Sequence, residues 1–220
     1  MSEHDSKNSE LQRDLPFSYR LIRPENASGE CLFVLHGSGV DEATLLPLAR
    51  RIAPRAVVVA ARGRIRHEDG FRWFERITPT SFEQSSIRAE TAAFAQFAVE
   101  AARLHELDLT RATFLGYSNG ANLVSTLMLL HPGLVRQAAL LRAMPVLDDA
   151  PATNLAGTRV LIIAGAADQT YGPFAPALVT LFSQRRAEVD ARIVASGHEF
   201  GEADAAIARQ WLAATSTPAA

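Results

Sequence analysis

The stretch that most constrains this chain is Thr113-Phe114-Leu115-Gly116-Tyr117-Ser118-Asn119-Gly120-Ala121-Asn122. An apolar run ends in a Gly-x-Ser-x-Gly pattern, and a run with helical spacing starts at once. The pattern predicts a buried strand, a sharp turn carrying one serine, and then a helix. Ser118 would stand clear of the sheet on a strained turn, open to a substrate on one side and a base on the other. Gly116 and Gly120 lack Cβ atoms, so the helix start can pass close to the strand beside it. The helix N-terminus would aim N–H groups and a partial positive charge at the place where an oxyanion forms.

The rest of the chain alternates strand-like and helix-like runs. Residues 17–22 suit an edge strand, and 31–35, 56–60, 135–141, 159–164 and 189–194 suit further strands. Helical spacing covers 41–52, 82–107, 119–130, 174–186 and 200–213. This order predicts an α/β fold with a doubly wound, mostly parallel sheet and helices on both faces. Residues 1–14 are polar, lack periodicity and are expected to form a disordered tail. Residues 15–215 are expected to form a single domain without a large lid. The largest excursion is 62–77, read as a long basic and aromatic loop.

Composition excludes several partners. With 22 basic and 24 acidic residues, the net charge of −2 gives no surplus for binding nucleic acid or an anionic membrane. The lone cysteine, Cys31, allows no internal disulfide and no cysteine-based metal cluster. No apolar run reaches transmembrane length and no secretory h-region is visible, so no membrane insertion and a cytoplasmic location are expected.

In an open α/β sheet, reactive groups gather beyond the carboxyl ends of the strands. Four expected strand ends carry such groups: His36-Gly37-Ser38-Gly39, Ser118, Asp168 and His198. Serine is a poor nucleophile at neutral pH and needs a base within hydrogen-bond reach. His198 is the candidate base, since it alone of six histidines follows the last strand. Asp168 would fix its tautomer and stabilise the imidazolium, with Asp148 and Asp149 as rival acids. The oxyanion hole needs two backbone donors, assigned to Asn119 and Ser38. His36 reads as a structural residue beneath the oxyanion loop. Phe71, Trp73, Phe74 and Met144 could wall an acyl or aryl pocket, with ordinary packing equally open.

On Leu35-His36-Gly37-Ser38-Gly39, Gly116-Tyr117-Ser118-Asn119-Gly120, Ala166-Ala167-Asp168 and Ser196-Gly197-His198-Glu199, the chain resembles the phospholipase/carboxylesterase branch of the α/β-hydrolases. It looks closest to compact bacterial serine esterases, which are similar to dienelactone hydrolases and acyl-protein thioesterases. Dienelactone hydrolases carry cysteine where this chain has Ser118, and the thioesterases differ at the position of Ser38. The resemblance implies hydrolysis of small carboxylic esters through an acyl-serine intermediate, with no metal or other cofactor. It also implies a homodimer as a common assembly. An acyl-thioesterase or lysophospholipase is the alternative within the fold. A catalytically silent hydrolase-like binding protein is the alternative from another class.

Overall fold

The computed structural model of the protein describes residues 10–214. The first nine residues of the expected tail lie outside that range. Residues 11 and 12, expected to be part of the tail, are instead a short edge strand, β1 (Leu11–Gln12). It is followed by β2 (Tyr19–Ile22), β3 (Cys31–Leu35), α1 (Leu46–Ile52) and β4 (Val57–Ala61). Four short strands come next: β5 (Ile65–His67), β6 (Gly70–Arg72), β7 (Arg76–Thr78) and β8 (Ser81–Phe82). Then come α2 (Gln84–Leu104), β9 (Ala112–Tyr117), α3 (Asn119–Leu130), β10 (Gln137–Leu141) and β11 (Arg159–Gly165). The chain closes with α4 (Ala175–Ser183), β12 (Glu188–Val194) and α5 (Glu202–Ala213).

Eight strands make one sheet in the order β1-β2-β4-β3-β9-β10-β11-β12. From β4 to β12 the neighbours run parallel; β2 joins β4 and β1 joins β2 antiparallel. The expected doubly wound α/β sheet is what the chain forms. Side chains alternate across the sheet, so each strand feeds two cores. Cys31, Phe33 and Leu35 pack with Phe94, Phe97, Leu123 and Leu127 under α2 and α3. Leu32 and Val34 pack with Leu48, Ile52, Ala208 and Trp211 under α1 and α5. Covering on both faces explains why β3 and β4 are apolar at every position. β12 lies at the sheet edge and is largely exposed, which suits its alternating polar sequence.

Two boundaries moved for local reasons. The helix expected from residue 41 starts at Leu46, because Asp41 Oδ1 accepts the Ala43 N–H at 3.0 Å and holds a turn there. Pro47 then sits in the first helical turn, where its missing N–H costs nothing. The excursion expected as a loop contains two small antiparallel ribbons, β5–β6 and β7–β8. Its backbone is pinned to the sheet rim through the Gly39 N–H to Phe71 O and Phe71 N–H to Val40 O bonds, both 2.9 Å.

Candidate active site

The turn between β9 and α3 is built as the glycine spacing requires. Ser118 has φ 52° and ψ −118°, a left-handed conformation that a non-glycine residue adopts only when its surroundings enforce it. A Cβ on Gly120 would lie 2.2 Å from Leu35 O and 2.5 Å from His36 O. A Cβ on Gly116 would lie 2.4 Å from Ala121 Cα. No side chain fits at either place, so α3 starts directly against the end of β3.

Three distant residues meet at this turn. His198 Nε2 lies 2.9 Å from Ser118 Oγ, and His198 Nδ1 lies 2.7 Å from Asp168 Oδ2. The other carboxylate oxygen, Oδ1, accepts the N–H of Tyr171 at 2.9 Å and of Thr170 at 3.1 Å. Burial pushes the Asp168 carboxyl upward, but the Tyr171 N–H and His198 outweigh it and hold it below the ordinary carboxylate range. Asp168 is therefore an anion facing the imidazole, which orients Nδ1–H toward it and leaves Nε2 to accept from Ser118. The side chain of Asp168 is 2% exposed and that of His198 is 37% exposed, so the acid is sealed while the imidazole keeps an open side. Gly165 lets the two loops approach: a Cβ there would lie 2.1 Å from Gly197 O. The rival acids Asp148 and Asp149 are exposed on a surface loop.

Asn119 follows Ser118 directly, and the loop that carries Ser38 passes beside it. Asn119 is the first residue of α3, and among the described residues neither its N–H nor that of Ser38 donates to another protein group. Gly37 brings the Ser38 loop in close, since a Cβ on it would sit 2.9 Å from the Tyr117 ring and 3.5 Å from Ser118 Cβ. His36 lies beneath this loop. Its Nε2 accepts the Gly63 N–H at 2.9 Å, so the proton sits on Nδ1, which donates to Gly37 O at 2.6 Å. Burial, the largest influence, lowers its pKa to about 4, so the ring is a neutral strut.

Of the two readings open for the aromatic segment, packing fits the burial of Trp73, Phe74 and Met144. Trp73 and Phe74 are 0% exposed and belong to the core rather than to a cavity wall. Trp73 packs edge-on against Phe94, with its Nε1–H donated to His36 O at 2.8 Å. Phe74 packs against Phe82. Met144 is also buried, its N–H held by Asn122 Oδ1 at 2.9 Å. Phe71 is half-buried beneath the guanidinium groups of Arg62 and Arg66. An aromatic-rich segment looks the same in sequence whether it lines a pocket or plugs a core.

Two contributors escaped the sequence reading. Tyr171 packs edge-on against His198 at 5.0 Å, and its hydroxyl donates to Pro79 O at 3.4 Å. Arg142, with φ 53°, turns back beneath the His198 loop. It donates to Gly197 O at 2.9 Å, Glu199 O at 2.8 Å and Ser196 Oγ at 3.0 Å, and it pairs with Asp204 at 2.8 Å. Both side chains of that ion pair are almost wholly buried. The apolar run ending just before Arg142 was the only hint of its position in sequence.

Among the described residues no three His, Cys, Asp or Glu side chains gather as a metal site needs, and no helix is long and apolar enough to cross a membrane. No protein-family model matches the chain. Among curated proteins it is similar to "Putative hydrolase MhqD" of Bacillus subtilis (strain 168), 31% identical over 147 residues, covering 67% of this chain and 74% of that protein. Among solved structures it is similar to a carboxylesterase from Mesorhizobium loti, at 73% identity and a TM-score of 0.92, covering 94% of this chain and 99% of that one. It is also similar to the Bacillus cereus carboxylesterase, at 27% identity and a TM-score of 0.87, covering 91% of this chain and 95% of that one. With its sheet order, its serine turn and these relatives together, the chain belongs to the phospholipase/carboxylesterase family of α/β-hydrolases.

Proposed function

We propose that the protein is a serine carboxylesterase that cleaves small esters with a short acyl or aryl group through an acyl-serine intermediate. The observation that carries this reading is the unbroken relay from Asp168 through His198 to Ser118, with spacings of 2.7 and 2.9 Å. In the first half-reaction His198 Nε2 takes the Ser118 proton as Oγ attacks the ester carbonyl carbon. The carbonyl oxygen becomes an oxyanion facing the N–H groups of Asn119 and Ser38 and the N-terminus of α3. Collapse expels the alkoxide, which takes the proton from the imidazolium and leaves as an alcohol. In the second half-reaction a water gives its proton to His198 and attacks the acyl carbon. Ser118 leaves with that proton and the carboxylic acid departs. Asp168 stays ionised throughout and stabilises the imidazolium.

The test is Ser118→Ala with p-nitrophenyl acetate. The expected outcome is a fall in kcat on the order of 10⁴-fold or more. A fluorophosphonate probe should label the wild type and not the variant. Turnover close to wild type in Ser118→Ala would remove the assignment. Comparing kcat/KM across acyl lengths separates this reading from a thioesterase or lysophospholipase, which would gain sharply with long chains.

A further inference from the structure

Four arginines lie between residues 62 and 72, and three of them have partners. Arg62 pairs with Glu42 and lies over the Phe71 ring. Arg64 makes two hydrogen bonds to Glu90, at 2.8 and 2.9 Å. Arg66 lies 4.8 Å from the centre of the Phe71 ring. Arg72 is the exception. It is the buried one of the four, at 4% exposure, yet its Nε and Nη2 have no hydrogen-bond partner. Among the described residues no carboxylate pairs with it; Glu68 and Glu75 act on it only from beyond ion-pair distance. Guanidinium donors removed from water without an acceptor are unfavourable, and folds keep them only where something else offsets the cost.

The location of Arg72 indicates what that is. The preceding residue, Phe71, exchanges both backbone bonds with the loop that carries Ser38, each at 2.9 Å. The following residue, Trp73, donates its N–H to Asn119 Oδ1 at 2.8 Å. Arg72 is thus suspended between the two segments that supply the oxyanion donors. Its charge acts on Tyr171, whose ring packs edge-on against His198 at 5.0 Å. The neighbouring cation, Arg76, is exposed and free to be hydrated.

We infer that Arg72 is an anion subsite of the esterase centre, and that the substrates are esters carrying a carboxylate on their acyl or alcohol part. This rests on the esterase reading above. The guanidinium fork matches a carboxylate in geometry, and one negative charge balances one buried positive charge. A phosphate dianion would call for more donors than this single buried group supplies. The backbone bonds of Phe71 and Trp73 tie the residues on either side of Arg72 to the segments around Ser118, so the anion would also set which ester bond meets the nucleophile.

The experiment compares matched esters by pH-stat in wild type and Arg72→Gln. Monoethyl glutarate against ethyl valerate probes the acyl side, and 4-acetoxybenzoate against phenyl acetate probes the alcohol side. In the wild type one of the two carboxylate esters should be favoured in kcat/KM by roughly 10- to 100-fold, the range of a charge-assisted hydrogen bond. In Arg72→Gln that ratio should fall to near unity, and Arg72→Lys should restore part of it. The inference is overturned if neither carboxylate ester is favoured, or if the preference persists in Arg72→Gln. If the wild type cleaves none of the four esters, the esterase reading has failed, and the subsite is judged by binding alone. Glutarate should then raise the wild-type Tm and leave that of Arg72→Gln unchanged. No shift, or a shift produced by inorganic phosphate in its place, overturns the subsite.

Discussion

The two buried arginines, Arg142 and Arg72, sit on opposite sides of Ser118 and are handled in opposite ways. Arg142 is 1% exposed, and its Nε, Nη1 and Nη2 all have acceptors, including both oxygens of Asp204. Arg72 is 4% exposed and leaves Nε and Nη2 unpaired. Equal burial of the same side chain therefore carries different meanings. On the Arg142 side the donors are consumed in fixing the loop that holds His198, so the charge has become part of the fold. On the Arg72 side the donors are held in reserve by a segment whose backbone is firmly tied but whose cation is not.

That contrast can be attacked from three directions. The largest effect is expected for Arg142→Met. Removing one partner leaves Asp204 charged and buried, along with several carbonyls, and should cost about 3–5 kcal/mol in urea denaturation. The imidazole of His198 should lose its fixed position, so kcat falls while KM for p-nitrophenyl acetate changes little. A loss below about 1 kcal/mol would mean the pair is not structural. Next comes acidification, which acts on the strut His36 beneath the excursion. Its pKa is about 4 in the fold against an ordinary 6.5, so between those values the unfolded chain binds a proton that the folded chain does not. Stability should therefore fall as the pH drops through that window, by on the order of 3 kcal/mol, and should be insensitive to His36 above about pH 7. His36→Gln should flatten the profile in denaturation series at pH 5 and pH 7; an unchanged slope would place the acid sensitivity elsewhere. The smallest effect is expected for Arg72→Met, which removes an unpaired charge and should raise stability by about 1 kcal/mol. A loss as large as that of Arg142→Met would show that Arg72 is structural and would erase the contrast.

Much of this architecture could be read from the residues alone. The parallel strands are apolar end to end because both faces are covered, and that made β3, β4, β9 and β11 visible. Gly116 and Gly120 marked the turn because only they can admit the backbone of α3. The order of Ser118, Asp168 and His198 along the strand ends was enough to nominate three residues that the fold brings within hydrogen-bond reach. What sequence could not supply depends on where side chains go after the chain turns. Trp73 and Phe74 entered the core because β6 is bonded to the loop after β3, a contact with no local signature. Arg142 reaches partners 54 to 62 positions away, and its left-handed backbone gives no warning in its residue type. The excursion hid its ribbons because three-residue strands carry too few alternations to register as a period.

The tight seat of Gly120 against the carbonyls of Leu35 and His36 has a consequence for how this scaffold can be altered. The chemistry at position 118 is interchangeable in principle, since a thiol occupies little more room than a hydroxyl on the same bend. The socket around it is not. One added methyl at position 120 would lever the first turn of α3 outward, carrying the N–H of Asn119 with it. Redesign of this centre can therefore swap the tool but must keep the handle.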